Sequence, residues 1–229
     1  HVDDSNRGVD FGFRDAIYIT GKLCYASLLK YQAANQMAYL FTKMGNKSKA
    51  LDYQQEANLL KRLIISTFTD ARGMLRASTG TSGQADVWAT SLAINLGVLT
   101  GKSRLKAAQY LRDAYVKGEL SQKGNIRHVV QSDDFSATSA WEKTVVPINT
   151  YQNGAYWGTP VGWVCQAIAY VDLPSAQKLA KEFIQELREG DFRKGDSFGS
   201  PWECFNDKLT QNPVYLTSVA VPFIIFKKK

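Results

Sequence analysis

Apolar side chains recur along the chain at spacings of three and four residues, the period of a helix that buries one face. The pattern predicts seven helices, at residues 21–44, 47–69, 86–100, 103–117, 159–171, 176–187 and 213–226. The short break at Gly45-Asn46 predicts that the first two form an antiparallel hairpin. Ser103 is a good candidate for the N-cap of the fourth helix. The sequence therefore predicts an all-α fold.

The predicted helices alternate in character. Those at 86–100 and 159–171 are almost entirely apolar, which indicates burial on most faces, and an amphipathic helix follows each of them. This alternation is typical of inner and outer helices in a two-layer ring. Long polar, aromatic and glycine-rich loops precede inner helices at 71–84, 121–157 and 190–212. Loops of this length are usually functional, so we expect the site at the end where they open, with a short strand over 126–130 inside the second loop.

Two of these loops combine large aromatic rings with short amide side chains. The first runs from Asn149 to Trp163, and the second runs from Phe198 to Asn206 with Glu203 at its centre. Aromatic rings can cover the apolar face of a sugar, while amides meet its hydroxyl groups. The candidate substrate contacts are Tyr151, Asn153, Tyr156, Trp157, Trp202 and Asp86. Asp86 is also placed to cap the third helix, and Trp88 and Trp163 lie deeper in apolar patterns that indicate core positions.

Charge and cysteine content exclude several classes of protein. The formal net charge is +7, but Lys and Arg are scattered among acidic residues, and only Lys227–Lys229 form a block. This distribution argues against nucleic-acid binding. No apolar run is long enough to span a membrane. Cys24, Cys165 and Cys204 show no CxxC spacing, which argues against a disulfide framework or a zinc site and indicates small buried apolar side chains for two of them.

The sequence shows no motif of a nucleophilic hydrolase, a phosphate-binding loop or a metal site. His128 is the only internal histidine, and no Ser-His-Asp or Cys-His arrangement accompanies it. No glycine-rich phosphate loop follows a predicted strand, and metal-ligand spacings are absent. We therefore expect no cofactor and no metal.

Four segments of the chain resemble the six-hairpin glycosidases. They are GVDFGFRDAI from Gly8 to Ile17, QADVWAT from Gln84 to Thr90, YQNGAYWGTPVGW from Tyr151 to Trp163, and GSPWECFN with NPVYLTSVA after it. The resemblance implies an (α/α)6 toroid and glycoside hydrolysis. A toroid has twelve helices, more than the pattern predicts here. We therefore expect residues 1–229 to form a single toroid domain that lacks its N-terminal half, or a shortened relative. An incomplete ring would expose apolar faces, so the missing segment or self-association is the expected partner.

The resemblance also implies the catalytic residues. It places the general base in the loop before the last inner helix, where Glu203 lies, and the general acid at Asp15 or Asp10 in the opening segment. Inverting glycosidases use two carboxyl groups about 6.5–9.5 Å apart, one as the acid and one as the base that activates water. Arg14 is expected to pair with an aspartate.

Two other functions stay open at this point. A polysaccharide lyase would use Tyr151 as its base and Asn149 or Asn153 to neutralise a uronate. A non-catalytic sugar-binding or scaffold protein would use the aromatic loops without turnover.

Overall fold

A computed structural model describes residues 15–227, which contain seven α-helices and seven short β-strands. The helices are α1 (Cys24–Lys43), α2 (Lys47–Phe68), α3 (Val87–Asn95), α4 (Gly101–Val116), α5 (Val161–Ala169), α6 (Leu173–Glu189) and α7 (Thr217–Phe226). The strands are β1 (Ile17–Tyr18), β2 (Ser121–Gln122), β3 (Asn125–Arg127), β4 (Lys143–Thr144), β5 (Tyr156–Trp157), β6 (Cys204–Phe205) and β7 (Thr210–Gln211).

All seven predicted helices are confirmed, with changes at their ends. Asp86 caps α3 as expected, because its carboxylate accepts the backbone N–H of Ala89 at 2.8 Å. The helix ends early because the chain turns through Gly97, which has a left-handed φ of 69°. Ser103 is not the cap of α4: Thr100 holds that position, and Ser103 lies inside the helix.

The predicted all-α class is wrong, because two antiparallel sheets form, with every strand except β1 inside the long loops. One pairs β1 with β4, and the other has the strand order β2-β3-β5-β6-β7. Both come from strands of only two or three residues, too short to show an alternating pattern in the sequence. The predicted strand at 126–130 is real but shifted to Asn125–Arg127. The helices are therefore combined with a five-stranded sheet, and the toroid prediction fails with the all-α class.

The main core surrounds α5, which packs against α3, α4, α6 and α7. Nearly every side chain of α3 is buried, as its apolar composition predicts. In α6, Asp172 accepts the backbone N–H of Ser175 at 3.0 Å, and one apolar stripe faces the core. The helices α1 and α2 pack mainly against each other. The site therefore rests on a sheet that this helical core supports.

The three cysteines lie in different parts of this core and are all buried and free. Cys24 is in α1, Cys165 in α5 and Cys204 in β6. Burial raises the pKa of each thiol, and for Cys165 it raises the pKa to about 12. The cysteines thus serve as small apolar side chains, which confirms the prediction for the two in helices.

The hairpin of β2 and β3 lies directly against α6, and substitutions at two glycines can test this contact. Gly124 and Gly118 have left-handed φ values of 75° and 76°. A Cβ on Gly124 would lie 2.5 Å from Cα of Phe183, whereas a Cβ on Gly118 would meet nothing within 4 Å. Because only the first site is crowded, Gly124→Ala should cost about 1–3 kcal/mol more stability than Gly118→Ala in urea unfolding. Equal losses would contradict close packing of the hairpin on α6.

In the range 15–227, no helix has the length and apolar character needed to cross a membrane.

Candidate functional site

Asp15 is fixed to the loop that precedes β5. Its Oδ2 accepts the hydroxyl of Tyr151 at 2.7 Å, and its Oδ1 accepts the side-chain amide of Gln152. The amide oxygen of Gln152 accepts the backbone N–H of Ala16 at 2.9 Å. The carboxylate itself is exposed. These bonds orient Asp15 while leaving it open to solvent.

Glu203 enters the same region from the strand side, immediately before β6. Its backbone N–H donates to the carbonyls of Gln211 and Asn212 at 3.0 and 3.1 Å. Its Oε2 accepts the side-chain amide of Asn212. The residue is 7% exposed. The loop before α7 therefore holds Glu203 through both its backbone and its carboxylate.

Two tyrosines link these carboxylates into one cluster. The pKa of Tyr151 is raised by burial, by its hydrogen bond to Asp15 and by the negative charge of Glu203. The pKa of Tyr215 is raised by burial, by the charge of and a hydrogen bond to Glu203, and by the charge of Asp15. The pKa of each phenol is therefore raised by both carboxylates. We call Asp15, Glu203, Tyr151 and Tyr215 the carboxylate–tyrosine cluster.

The backbone around the cluster adopts conformations that side chains seldom tolerate. Tyr151 and Asn212, which contact the two carboxylates, have φ values of 42° and 45°. Asn149 and Val214, two residues from them, have φ values of 61° and 57°. Left-handed φ is rare for residues other than glycine, and for β-branched Val214 it is strained. Such strain concentrates at functional sites, where the surrounding structure holds it in place.

Arg127 lies beside this loop and is almost fully buried, at 1% exposed. Its Nη1 and Nη2 donate to the two carboxylate oxygens of Asp134 at 2.7 and 2.8 Å. The remaining donors reach the carbonyls of Gly154 and Val129 and the side chain of Asn149. A side chain at position 154 would collide with the guanidinium, and Gly154 has a φ of 105°. Arg127 thus ties the start of the Asn149 loop to β3.

Several predicted substrate contacts are buried instead. Asn153 is fully buried, and its amide bonds the backbone of Ala140, Thr138 and Val146 within the loop. Trp157 is 1% exposed, because it occupies the inward position of β5. Asn153 thus organises the loop and Trp157 packs in the core, and the role of both as substrate contacts stays a prediction. Trp88 is a core residue, as predicted.

Asp86 is likewise internal, at 2% exposed. Besides capping α3, its Oδ1 lies 3.0 Å from Nε2 of His128. The His128 ring stacks on Trp88 with centroids 4.7 Å apart and meets the edge of Trp141 at 5.0 Å. The cap role predicted for Asp86 is confirmed, and its role as a substrate contact stays a prediction.

The remaining predicted residues have mixed positions. Tyr156 and Trp202 are half-buried, and Trp202 covers Gly199, so their substrate role stays a prediction. Asp10 lies outside the described residues.

Three residues of the candidate site were not predicted from the sequence: Gln152, Asn212 and Tyr215. All three stand in the quoted motifs, and polar residues bordering the predicted acid and base were the available signal.

An apolar groove near the N-terminal helices lies apart from the cluster. It has a volume of about 390 Å³ between α1 and α2 and is lined mainly by apolar side chains. The carboxylate–tyrosine cluster does not line it. No group of three or more His, Cys, Asp or Glu residues in the described range is placed to hold a metal ion.

No known protein-family model matches the sequence, and no curated protein matches it. The fold is similar to part of a sialidase. The superposition has a TM-score of 0.58 at 10% sequence identity and covers 84% of this chain. The matched region spans 17% of the length of that sialidase chain. At this identity the similarity concerns the fold alone.

Proposed function

We propose that this chain is a glycoside hydrolase in which Glu203 acts as general base and Asp15 as general acid. The observation that carries the proposal is that Tyr151 donates to Asp15 at 2.7 Å while the negative charge of Glu203 also raises the pKa of Tyr151. Two carboxyl groups held at one site are the minimum equipment for acid–base hydrolysis of a glycosidic bond. The fold similarity to a sialidase is in keeping with action on a carbohydrate.

The two carboxylates suit different roles. Glu203 is buried and oriented by Asn212 and Tyr215, so it can hold a water molecule in a fixed direction and accept its proton. Asp15 is exposed, so it can take up a proton from solvent and, in that protonated form, donate it to the leaving oxygen in each turnover. The water oxygen bonds to the anomeric carbon as the glycosidic bond breaks. We propose inversion at that carbon, which requires room for the water between base and sugar.

Hydrolysis accounts for Tyr151 better than elimination by a lyase. A lyase base would have to be a phenolate, or lose its proton readily. The hydroxyl of Tyr151 instead donates to Asp15, and burial and both carboxylates raise its pKa. Tyr151 therefore stays neutral and orients Asp15. On the basis of the sequence motifs, we propose that the chain shares the activity of the six-hairpin glycosidases but not their toroidal fold.

A panel of 4-nitrophenyl and alkyl glycosides in both anomeric forms tests the proposal. Glu203→Gln should lower kcat/KM by at least about a hundredfold on both kinds of leaving group, because the base is needed in either case. Asp15→Asn should spare 4-nitrophenyl glycosides, which need little protonation, and abolish turnover of alkyl glycosides. NMR of the first-formed product should show the inverted anomer.

Glu189→Gln is the matched control, since Glu189 is exposed at the end of α6, and it should leave kcat/KM unchanged. Full activity of Glu203→Gln would end the assignment of the base. Sugar binding without turnover in the wild type would make the chain a carbohydrate-binding protein instead.

A further inference from the structure

The helix α7 is apolar on both of its faces. Its inner face packs closely on α5, since a Cβ added to Gly162 would lie 2.9 Å from Cβ of Ile225 and 3.0 Å from Cα of Pro222. Ser218 and Pro222 are buried on this inner face. A helix that is apolar all round normally has packed surroundings on every side. The opposite face of α7 is therefore unusual for a surface exposed to water.

Large apolar side chains form a stripe along that opposite face. Leu216, Phe223 and Ile224 are 75%, 58% and 59% exposed. Phe223 and Ile224 follow Leu216 by seven and eight residues, the spacing that places side chains on one side of a helix. We call these three residues and Lys227 the outer face of α7. Contiguous exposed apolar surface of this kind marks a site of interaction with a partner.

Positive charge accompanies the apolar stripe. Lys227 is exposed and follows Leu216 by eleven residues, which places it on the same side of the helix. Its Nζ lies 5.9 Å from the centroid of the Phe223 ring. Two more lysines follow it in the sequence, and the segment 209–229 contains no Asp or Glu. The helix α5, against which α7 packs, has no charged residue either. The outer face thus combines apolar side chains with a net positive charge.

This combination favours one kind of partner over a second copy of the chain. If two copies paired through their outer faces, the lysines of each would meet no acidic residue on segment 209–229 of the other. The surface of an anionic membrane complements both features. Exposed Phe, Ile and Leu side chains can enter the boundary between headgroups and acyl chains, while lysines are attracted to the negative headgroups.

We propose that the outer face of α7, together with Lys228 and Lys229, binds the surface of membranes that contain anionic lipids. The helix lies along the membrane surface, with Leu216, Phe223 and Ile224 directed into it. This interaction goes beyond the proposed glycoside hydrolysis and does not depend on it.

Co-sedimentation of the whole chain with lipid vesicles tests the proposal. The probes are vesicles of phosphatidylcholine alone and vesicles of phosphatidylcholine mixed with phosphatidylserine. Partitioning onto the mixed vesicles should be at least about tenfold stronger, because each lysine near an anionic surface contributes to binding. Raising the salt concentration should reduce this difference, since salt screens charges at a surface.

A lysine variant tests the electrostatic part. Replacing Lys227, Lys228 and Lys229 together with glutamine should weaken partitioning onto the mixed vesicles by at least about tenfold. The matched control replaces Lys102, Lys106 and Lys117, which are exposed on α4 and at its end, with glutamine. The control removes the same charge from the chain and should change partitioning little.

An apolar variant tests the insertion. Phe223→Ser combined with Ile224→Ser should also weaken partitioning by at least about tenfold, because less apolar surface leaves water on binding. Leu51→Ser combined with Leu59→Ser is the control, since these side chains are 58% and 47% exposed on α2. Circular dichroism checks that each variant is folded. If the apolar variant is unfolded, the lysine variant and its control still decide the test.

Several outcomes would overturn the proposal. They are no binding to mixed vesicles, equal binding to both kinds of vesicle, and equal weakening by the α7 and α4 lysine variants. Sedimentation equilibrium without lipid adds another: a dimer that Phe223→Ser with Ile224→Ser abolishes, in a chain that binds no vesicles, would assign the face to a second copy. The lysine variant should keep wild-type kcat/KM on soluble glycosides, so failure of the hydrolase proposal leaves this test unaffected.

Discussion

Replacing Trp157 with alanine is expected to lower the free energy of unfolding by about 3–5 kcal/mol, the usual cost of removing a buried tryptophan. Trp157 is 1% exposed and lies in β5, which pairs with β3 on one side and β6 on the other. Its ring meets the edge of Trp88 with centroids 5.7 Å apart and contacts Tyr151 at 5.2 Å. The variant would therefore leave a cavity at the junction of the sheet and α3.

Urea unfolding followed by circular dichroism measures this loss. Trp202→Ala serves as the matched control, because Trp202 is half-buried in a loop and should cost less. If Trp157→Ala kept full stability and lost only sugar affinity, Trp157 would be a binding platform rather than part of the core. The loss should also reach the cluster, because Tyr151 would lose the ring on which it rests.

Replacing Arg127 with methionine is expected to cost about 3–5 kcal/mol, because the change leaves the carboxylate of Asp134 without its partner in a poorly solvated position. Carbonyl groups of Gly154 and Val129 would lose their donor as well. Losing the pair of Arg127 and Asp134 should cost more stability than losing an exposed ion pair, because little water can reach the buried groups to replace the lost hydrogen bonds.

Two further variants separate charge from geometry at Arg127. Arg127→Lys keeps the positive charge but offers a single ammonium in place of the planar fork, so it should recover only part of the loss. Arg193→Met removes an exposed arginine that also pairs with an aspartate, Asp191, and should change stability little. A loss for Arg127→Met no larger than that for Arg193→Met would show that the buried pair contributes nothing.

The helices could be predicted because their signal is local. Periodic apolar residues and the breaks at Gly45 and Asp172 specify each helix within a short stretch of sequence. The end of α3 was the exception, since an apolar run continues past Asn95 and the turn depends on Gly97. Local patterns thus gave the helices but not all of their ends.

The sheets could not be predicted because their pairing is not local. Ile17 pairs with Thr144, and Trp157 pairs with Cys204. A strand of two residues contains one inward and one outward side chain, too few to distinguish a strand from a loop. The same limit explains why the burial of Trp157 was not predicted. The motif shows two adjacent aromatic residues, and only the pairing of β5 shows that Tyr156 points outward and Trp157 inward.

The two carboxylates of the candidate site could be proposed from the sequence, whereas the residues that hold them could not. Asp15, Glu203 and Tyr151 stand in motifs whose residue types indicate sugar chemistry. Asn212 and Tyr215 reach Glu203 only because the loop before α7 folds back through left-handed residues. Pattern analysis cannot supply such backbone conformations, since they depend on the rest of the fold.

The three buried cysteines allow the local opening of the protein to be measured by thiol labelling. Thiol reagents attack the thiolate, and burial both shields each sulfur and raises its pKa. Modification must therefore wait for the surrounding element to open. Because the thiols belong to α1, α5 and β6, their labelling rates report separately on the first helical hairpin, the central helix and the sheet beneath the cluster. The native sequence thus carries three internal probes of local stability, with no added dye or engineered residue.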